Sequence, residues 1–118
     1  MCDEPPTLGK ALRKEFIIDK TLTQKIKQFS KKEGTSNYTV FLTLITSYIN
    51  RIKNNAENFF IGTIVLNRTT PAQQNTVGMF VNDVPYLAQI SAEKNFSENL
   101  SQTQENVFRL FRHQKCNY

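Results

Sequence analysis

Tryptophan is missing from this sequence, histidine occurs once and cysteine twice. These scarcities exclude a good deal of chemistry. Cys2 and Cys116 stand at opposite ends, and with a single histidine they cannot supply the four-ligand shell of a zinc site. Two free thiols in a cytoplasmic protein are the expected state, a disulfide between the termini being the alternative. No run of 18 apolar residues occurs, so no membrane-spanning helix is expected. The opening Met1-Cys2-Asp3-Glu4-Pro5-Pro6 has neither the basic nor the apolar region of a secretory signal. No serine or cysteine stands in a nucleophile-elbow setting, and neither a GxGxxG nor a Walker loop is present. The lone His113 falls near a helix end, where it reads as a partner for the helix dipole and not as a base. Nothing in the chain resembles a complete active site.

What is present is apolar bulk and positive charge. Nine Phe and four Tyr, with 39% hydrophobic residues overall, are enough for a modest core and speak against disorder. The net charge is +5, and the excess is concentrated early. Lys10, Arg13, Lys14, Lys20, Lys25, Lys27, Lys31 and Lys32 face only Glu15, Asp19 and Glu33 after residue 9. Such a cluster attracts acidic partners. It lacks the aromatic platforms or recognition motif of a nucleic-acid reader, so neither nucleic acid nor membrane is expected as a partner.

Residues 1–14, with two prolines and a glycine, read as a tail or linker, and 15–118 as the folded unit. Residues 15–19 suggest a short strand. Leu22, Ile26 and Phe29 then share one face of a helix that Gly34 terminates. A second helix over about 38–53 carries the wider stripe Val40, Phe41, Leu44, Ile45, Tyr48, Ile49 and Ile52, and should be the more buried of the two. Residues 59–66 are apolar almost throughout, as in a strand covered on both faces. A polar loop over 68–76 precedes extended character at 77–87, where Pro85 marks an edge or break. A last helix spans about 96–113, capped by Asn95 or Ser97. The order β-α-α-β-β-α predicts an α/β fold, a two-layer sandwich with a mixed sheet.

One segment points to a family. The strand ending in Asn67-Arg68, followed by Val77-Gly78-Met79-Phe80-Val81-Asn82, resembles a pair of signatures of the condensation domains of nonribosomal peptide synthetases. The helix-loop-helix from Lys25 to Arg51, with Gly34 and Val40-Phe41-Leu42, is similar to the elements preceding those strands. Phe96-Ser97-Glu98-Asn99-Leu100 resembles the family's following helix, and Arg112-His113-Gln114 the start of its His-Gln motif, though the aromatic-proline continuation is altered. The resemblance covers about residues 15–118. The family's HHxxxDG motif, which carries the catalytic histidine, has no counterpart in this sequence.

The resemblance implies the second-lobe core, half of a chloramphenicol acetyltransferase-like condensation domain. Its parent would join aminoacyl and peptidyl thioesters held on carrier proteins. The partners implied are the missing first lobe and peptidyl or aminoacyl carrier proteins, one of which the basic first helix would suit. No cofactor binds directly, the reacting groups arriving on the carriers' phosphopantetheine arms. The chain alone supplies wall and scaffold without a catalytic residue. Gly78 and Asn82 are the candidates for the substrate channel: glycine admits close approach, and an amide in an apolar strand must find partners. The expectation for Asn82 leans toward a buried strand-to-loop hydrogen bond. Asn67 and Arg68 are structural motif residues, Arg68 holding a carboxylate or loop carbonyls. Epimerisation and heterocyclisation domains share this lobe and stay open, as does a non-catalytic carrier-binding module. An apolar face left without its lobe is expected to make the isolated piece a homodimer.

Overall fold

The computed structural model describes residues 13–54, 56 and 58–113. The element order is α1 (Lys20–Lys32), α2 (Asn37–Ile52), β1 (Asn58–Val65), α3 (Pro71–Gln74), β2 (Asn82–Gln89) and α4 (Phe96–Arg112). Most of the expected tail, both cysteines and residues 114–118 lie outside the described residues. Among those described, no helix is long and apolar enough to cross a membrane.

Local chemistry sets the helix ends. The Asp19 carboxylate accepts the Leu22 N–H at 2.7 Å and starts α1. At its other end Thr35 N–H donates to Ser30 O (2.9 Å) and Gly34 N–H to Lys31 O (3.3 Å), a Schellman closure. Gly34 holds φ +62°, which that closure requires and glycine adopts at no steric cost. Ser36 caps α2, and Asn95 caps α4 in a reciprocal box with Glu98.

The sheet has two strands among the described residues, β1 and β2, paired antiparallel from Asn58↔Gln89 to Val65↔Asn82. The α/β class stands, with α2 and α4 packed over one face of the sheet. The mixed sheet is corrected to an antiparallel pair. Residues 15–19 do not form the expected strand: they precede α1, pair with neither β1 nor β2, and are exposed, with Ile17 97% accessible. β1 is not covered on both faces either. Its burial alternates, Phe59 and Ile61 turning toward the core while Phe60 and Ile64 face outward.

The core joins Leu42, Tyr86, Ala88 and Val107, with Phe59, Ile61 and Leu110 at its margin. Burial pushes the Tyr86 phenol above its ordinary value of 10.0. The folded state therefore keeps that proton longer than the unfolded chain does. Tyr86 contributes its full stability below about pH 10 and loses it as pH rises through the raised value. Denaturation midpoints between pH 8 and 11.5 should fall at the alkaline end, and Tyr86→Phe should flatten the decline.

α2 overturns the burial expected from its pattern. Its buried residues are Thr39, Val40, Leu42, Thr43, Thr46 and Asn50, while Phe41, Leu44, Ile45, Tyr48 and Ile52 stay exposed. Threonine can line this interface because its hydroxyl is satisfied within the helix: Thr43 Oγ1 donates to Thr39 O and Thr46 Oγ1 to Leu42 O, both at 2.8 Å. The wide apolar stripe is left for something other than the chain's own core.

Candidate functional site

The residues that carry the family resemblance gather at one end of the strand pair. β1 closes at Val65, directly opposite Asn82, the first residue of β2. The chain between them is an ordered loop and not the extension of a strand: β2 begins at Asn82, so the segment 77–81 precedes it. Asn67 adopts φ +51°, a left-handed conformation that asparagine tolerates well, and turns the chain out of β1.

A short cap follows. Thr70 Oγ1 accepts the Gln73 N–H at 3.3 Å, and Gln73 Oε1 accepts the N–H groups of Thr69 (2.9 Å) and Thr70 (3.2 Å). Pro71 stands at the start of α3, where its missing N–H costs nothing. The signal was legible, since Thr70-Pro71-Ala72-Gln73 matches a capping box with an N-terminal proline.

Arg68 organises the rest. Its Nη1 donates to the carbonyls of Gln73 and Thr76, the latter at 2.8 Å, and its Nη2 donates to Gly78 O at 2.8 Å. The guanidinium also lies 4.4 Å from the Phe80 ring centroid. Three loop carbonyls and one ring thus converge on one planar cation, and no carboxylate pairs with it among the described residues. Phe80 was not singled out from the sequence. Its contact with Arg68 spans twelve positions and leaves no local trace.

Gly78 sits on the far side of this clamp with φ +155°, a conformation L side chains rarely adopt. Space is not the constraint, because an added Cβ would meet Phe80 Cε2 at an ordinary 3.6 Å. Its neighbours Val77 and Met79 are almost fully exposed, at 100% and 92%. The clamp therefore presents two apolar side chains on a fixed backbone. Asn82 is half-buried, and its Nδ2 is shielded from solvent without an acceptor among the described residues. The structure joins Arg68 to Gly78 directly, places Asn67 at the turn before them and Asn82 at the strand start after them.

His113 lies elsewhere. It caps α4, its N–H donating to Arg109 O (3.2 Å) and Leu110 O (3.1 Å), and lines a cleft of about 350 Å³ between α4 and β2 with Asn106, Arg109 and Tyr86. The cleft holds no serine or cysteine. No cluster of three or more metal-ligating side chains occurs among the described residues.

Comparison with known proteins gives a consistent answer. A family model described as Condensation domain matches residues 4–118. The chain is similar to Surfactin synthase subunit 1 of Bacillus subtilis (strain 168), 30% identical over 101 residues, covering 86% of this chain and 3% of that protein. It is similar to Bacitracin synthase 3 of Bacillus licheniformis, 29% identical over 99 residues, covering 84% of this chain and 2% of the relative. Among solved structures, the condensation domain from Monacolin K polyketide synthase MokA matches with a TM-score of 0.78 at 22% identity, over 86% of this chain and 22% of that one. The first condensation domain of the calcium-dependent antibiotic synthetase, in complex with a substrate analogue, matches with a TM-score of 0.74 at 17% identity, over 80% of this chain and 22% of that one. The chain thus spans 2–3% of these curated relatives and about a fifth of the solved chains.

Proposed function

The chain belongs to the condensation-domain family, and from that premise we propose that residues 15–118 form second-lobe scaffold and channel wall for amide formation between carrier-bound thioesters. The observation that carries this reading is the outward stripe of α2. Phe41, Leu44, Ile45, Tyr48 and Ile52 form an exposed apolar face on a chain spanning about a fifth of the solved condensation-domain chains. Monomeric proteins rarely leave so continuous a patch uncovered. The remainder of the domain is its natural cover.

In this reading the catalytic histidine of HHxxxDG comes from the first lobe, and no residue here touches a reacting proton. Peptidyl and aminoacyl carrier proteins are the partners, and their phosphopantetheine arms enter as substrate. The exposed Val77-Gly78-Met79 segment is the part of the wall that meets an arm, stiffened from behind by Arg68. Holding two arms in register makes their encounter effectively unimolecular, which is the contribution a wall can make. Asn82 supports the wall from beneath, its buried donor waiting for an acceptor from the remainder of the domain.

The reading frame is the plainest test: an HHxxxDG upstream supports the proposal, and an isolated short gene overturns it. In the whole domain, replacing residues 77–79 by three alanines should lower amide formation at least about tenfold, as misplacement near reacting groups does. An unchanged rate between two loaded carriers would sink the wall.

Asn82→Leu should act with opposite signs in the two settings. In the isolated chain it removes an unpaired buried donor, so stability holds or rises. In the whole domain it costs about 1–3 kcal/mol by stranding the acceptor. Denaturant titration of both forms decides the point. The isolated chain should also self-associate through α2, and Ile45→Glu should shift its sedimentation toward monomer. A clean monomer of the unsubstituted chain at high concentration contradicts this.

A further inference from the structure

A second cavity lies away from the β1–β2 loop, between the last turns of α2 and the turn that joins β2 to α4. Ser47, Asn50 and Arg51 of α2 form one wall, Ser91, Ala92 and Lys94 form the other, and Ile90, Phe96 and Asn99 close it. Its volume is about 230 Å³, against the ~15 Å³ that admits one water molecule. Two buried asparagines hold the walls. Asn99, 5% exposed, accepts the Ser91 N–H at 3.1 Å and donates through Nδ2 to the carbonyls of Ser91 (3.0 Å) and Lys94 (3.2 Å). Asn50, 2% exposed, donates to Ala56 O at 2.9 Å and ties the end of α2 to the chain that enters β1. The turn and the helix end are thus fixed before any ligand arrives.

These walls present donors and positive charge. Arg51 and Lys94 join no ion pair among the described residues, and no carboxylate lines the cavity. Ser91 Oγ accepts the Glu93 N–H at 3.3 Å, which leaves its own proton free to be donated. Ser47 is half-buried and stands one turn before Arg51, adding a second hydroxyl. Phe96 opens α4, so the positive end of a 17-residue helix adjoins the same space. Asn50 belongs to the buried side of α2 and Ser47 and Arg51 border it, so the cavity does not draw on the outward apolar stripe.

We infer that this cavity is a binding site for a small dianion of the phosphate class, free or as a monoester. The planar Arg51 fork suits two of its oxygens, and Lys94 supplies a point charge from the opposite wall. The Ser91 hydroxyl donates to a third oxygen. Ile90, Ala92 and Phe96 leave an apolar side for the substituent of a monoester. A simple carboxylate, with two oxygens and one charge, would leave much of this donor set unused. The inference rests on the cavity alone and stands whether or not the condensation reading does.

Inorganic phosphate and ethyl phosphate, each titrated into the full chain at about pH 8 where both are dianions, test the site. Calorimetry should give at least one of them a dissociation constant below about 1 mM at low salt. Tighter inorganic phosphate assigns the site to the free ion, and tighter ethyl phosphate to a monoester. Amide signals of residues 47–51 and 91–94 should move with the titration. Arg51→Gln and Lys94→Gln should each weaken binding about tenfold or more, and Ser91→Ala by less. Arg112→Gln removes the same single charge about 24 Å along α4 from Phe96 and should change nothing. Arg51, Lys94 and Arg112 are exposed, so circular dichroism should confirm that each variant keeps its helices. Equal weakening by Arg112→Gln overturns the inference, because the ions would then answer only to net charge. Equal binding of acetate overturns it as well, as does indifference to both Arg51→Gln and Lys94→Gln, or no binding of either phosphate below about 10 mM.

Discussion

Replacing Tyr86 with alanine is expected to leave the chain largely unfolded at room temperature. Tyr86 is 1% exposed and is the largest fully buried side chain among the described residues. It stands in the middle of β2 and packs with Leu42 of α2, Ala88 of β2 and Val107 of α4. It is therefore the side chain through which the sheet meets both covering helices. Only nine apolar residues are buried among those described, so no second cluster is available to carry the fold. Truncating a buried aromatic costs about 3–5 kcal/mol, from lost transfer energy and from the cavity left behind. Folded proteins have only about 5–15 kcal/mol in all, and a chain with so few buried apolar residues has little to spare. Urea unfolding followed by far-ultraviolet circular dichroism should show Tyr86→Ala without a folded baseline. Tyr86→Phe keeps the ring and should lose no more than about 1.5 kcal/mol. A Tyr86→Ala protein with a cooperative transition near that of the unsubstituted chain would remove Tyr86 from its place in the core.

Replacing Arg68 with methionine should open the loop between β1 and β2 while leaving the strands paired. Three carbonyls, those of Gln73, Thr76 and Gly78, depend on one guanidinium, and Phe80 stacks beneath it. Hydrogen bonds to a charged group contribute about 1.5–3 kcal/mol each when buried, and less where solvent competes, as here. A loss of about 2 kcal/mol of loop order corresponds to roughly thirtyfold faster amide exchange. That increase should appear at Gln74, Asn75 and Thr76, whose N–H groups close the α3 turn. The β1–β2 ladder should exchange as before. Arg68→Lys should not restore protection, because an ammonium has neither the planar fork nor the stacking face. Uniform exchange changes across both regions would mean that Arg68 supports the whole fold and not the loop.

These two residues differ in how far a sequence reading reaches. Arg68 could be placed at a strand-to-loop junction and given carbonyls or a carboxylate as partners, because arginine at such a junction has few other uses. Which carbonyls it takes, and that Phe80 lies beneath it, depended on how residues 69–80 fold back. Tyr86 was one aromatic among several in an extended run, and nothing local separates it from Phe60 or Leu87. In a strand, burial alternates with position, and the register that turns Tyr86 inward and Phe60 outward is set by β1 pairing with β2.

Helices α1, α2 and α4, the two strands between them and the family resemblance were legible in the sequence alone, whereas the strand expected at 15–19 is absent and α3 was read as loop. Caps such as Asp19, Ser36, Gly34 and Asn95 act on backbone groups within a few residues, so their signals are local and survive without a fold. The paired Asn67-Arg68 and Gly78-to-Asn82 segments likewise identify the family by type and spacing. Tertiary structure decided which faces are used. Periodicity showed that Phe41, Leu44, Ile45, Tyr48 and Ile52 share a side of α2, but not that the threonine side would face α4 and the sheet. The same holds for residues 15–19, strand-like in composition yet paired with neither β1 nor β2. Burial and pairing are properties of two surfaces together, and one surface's sequence records only half of each.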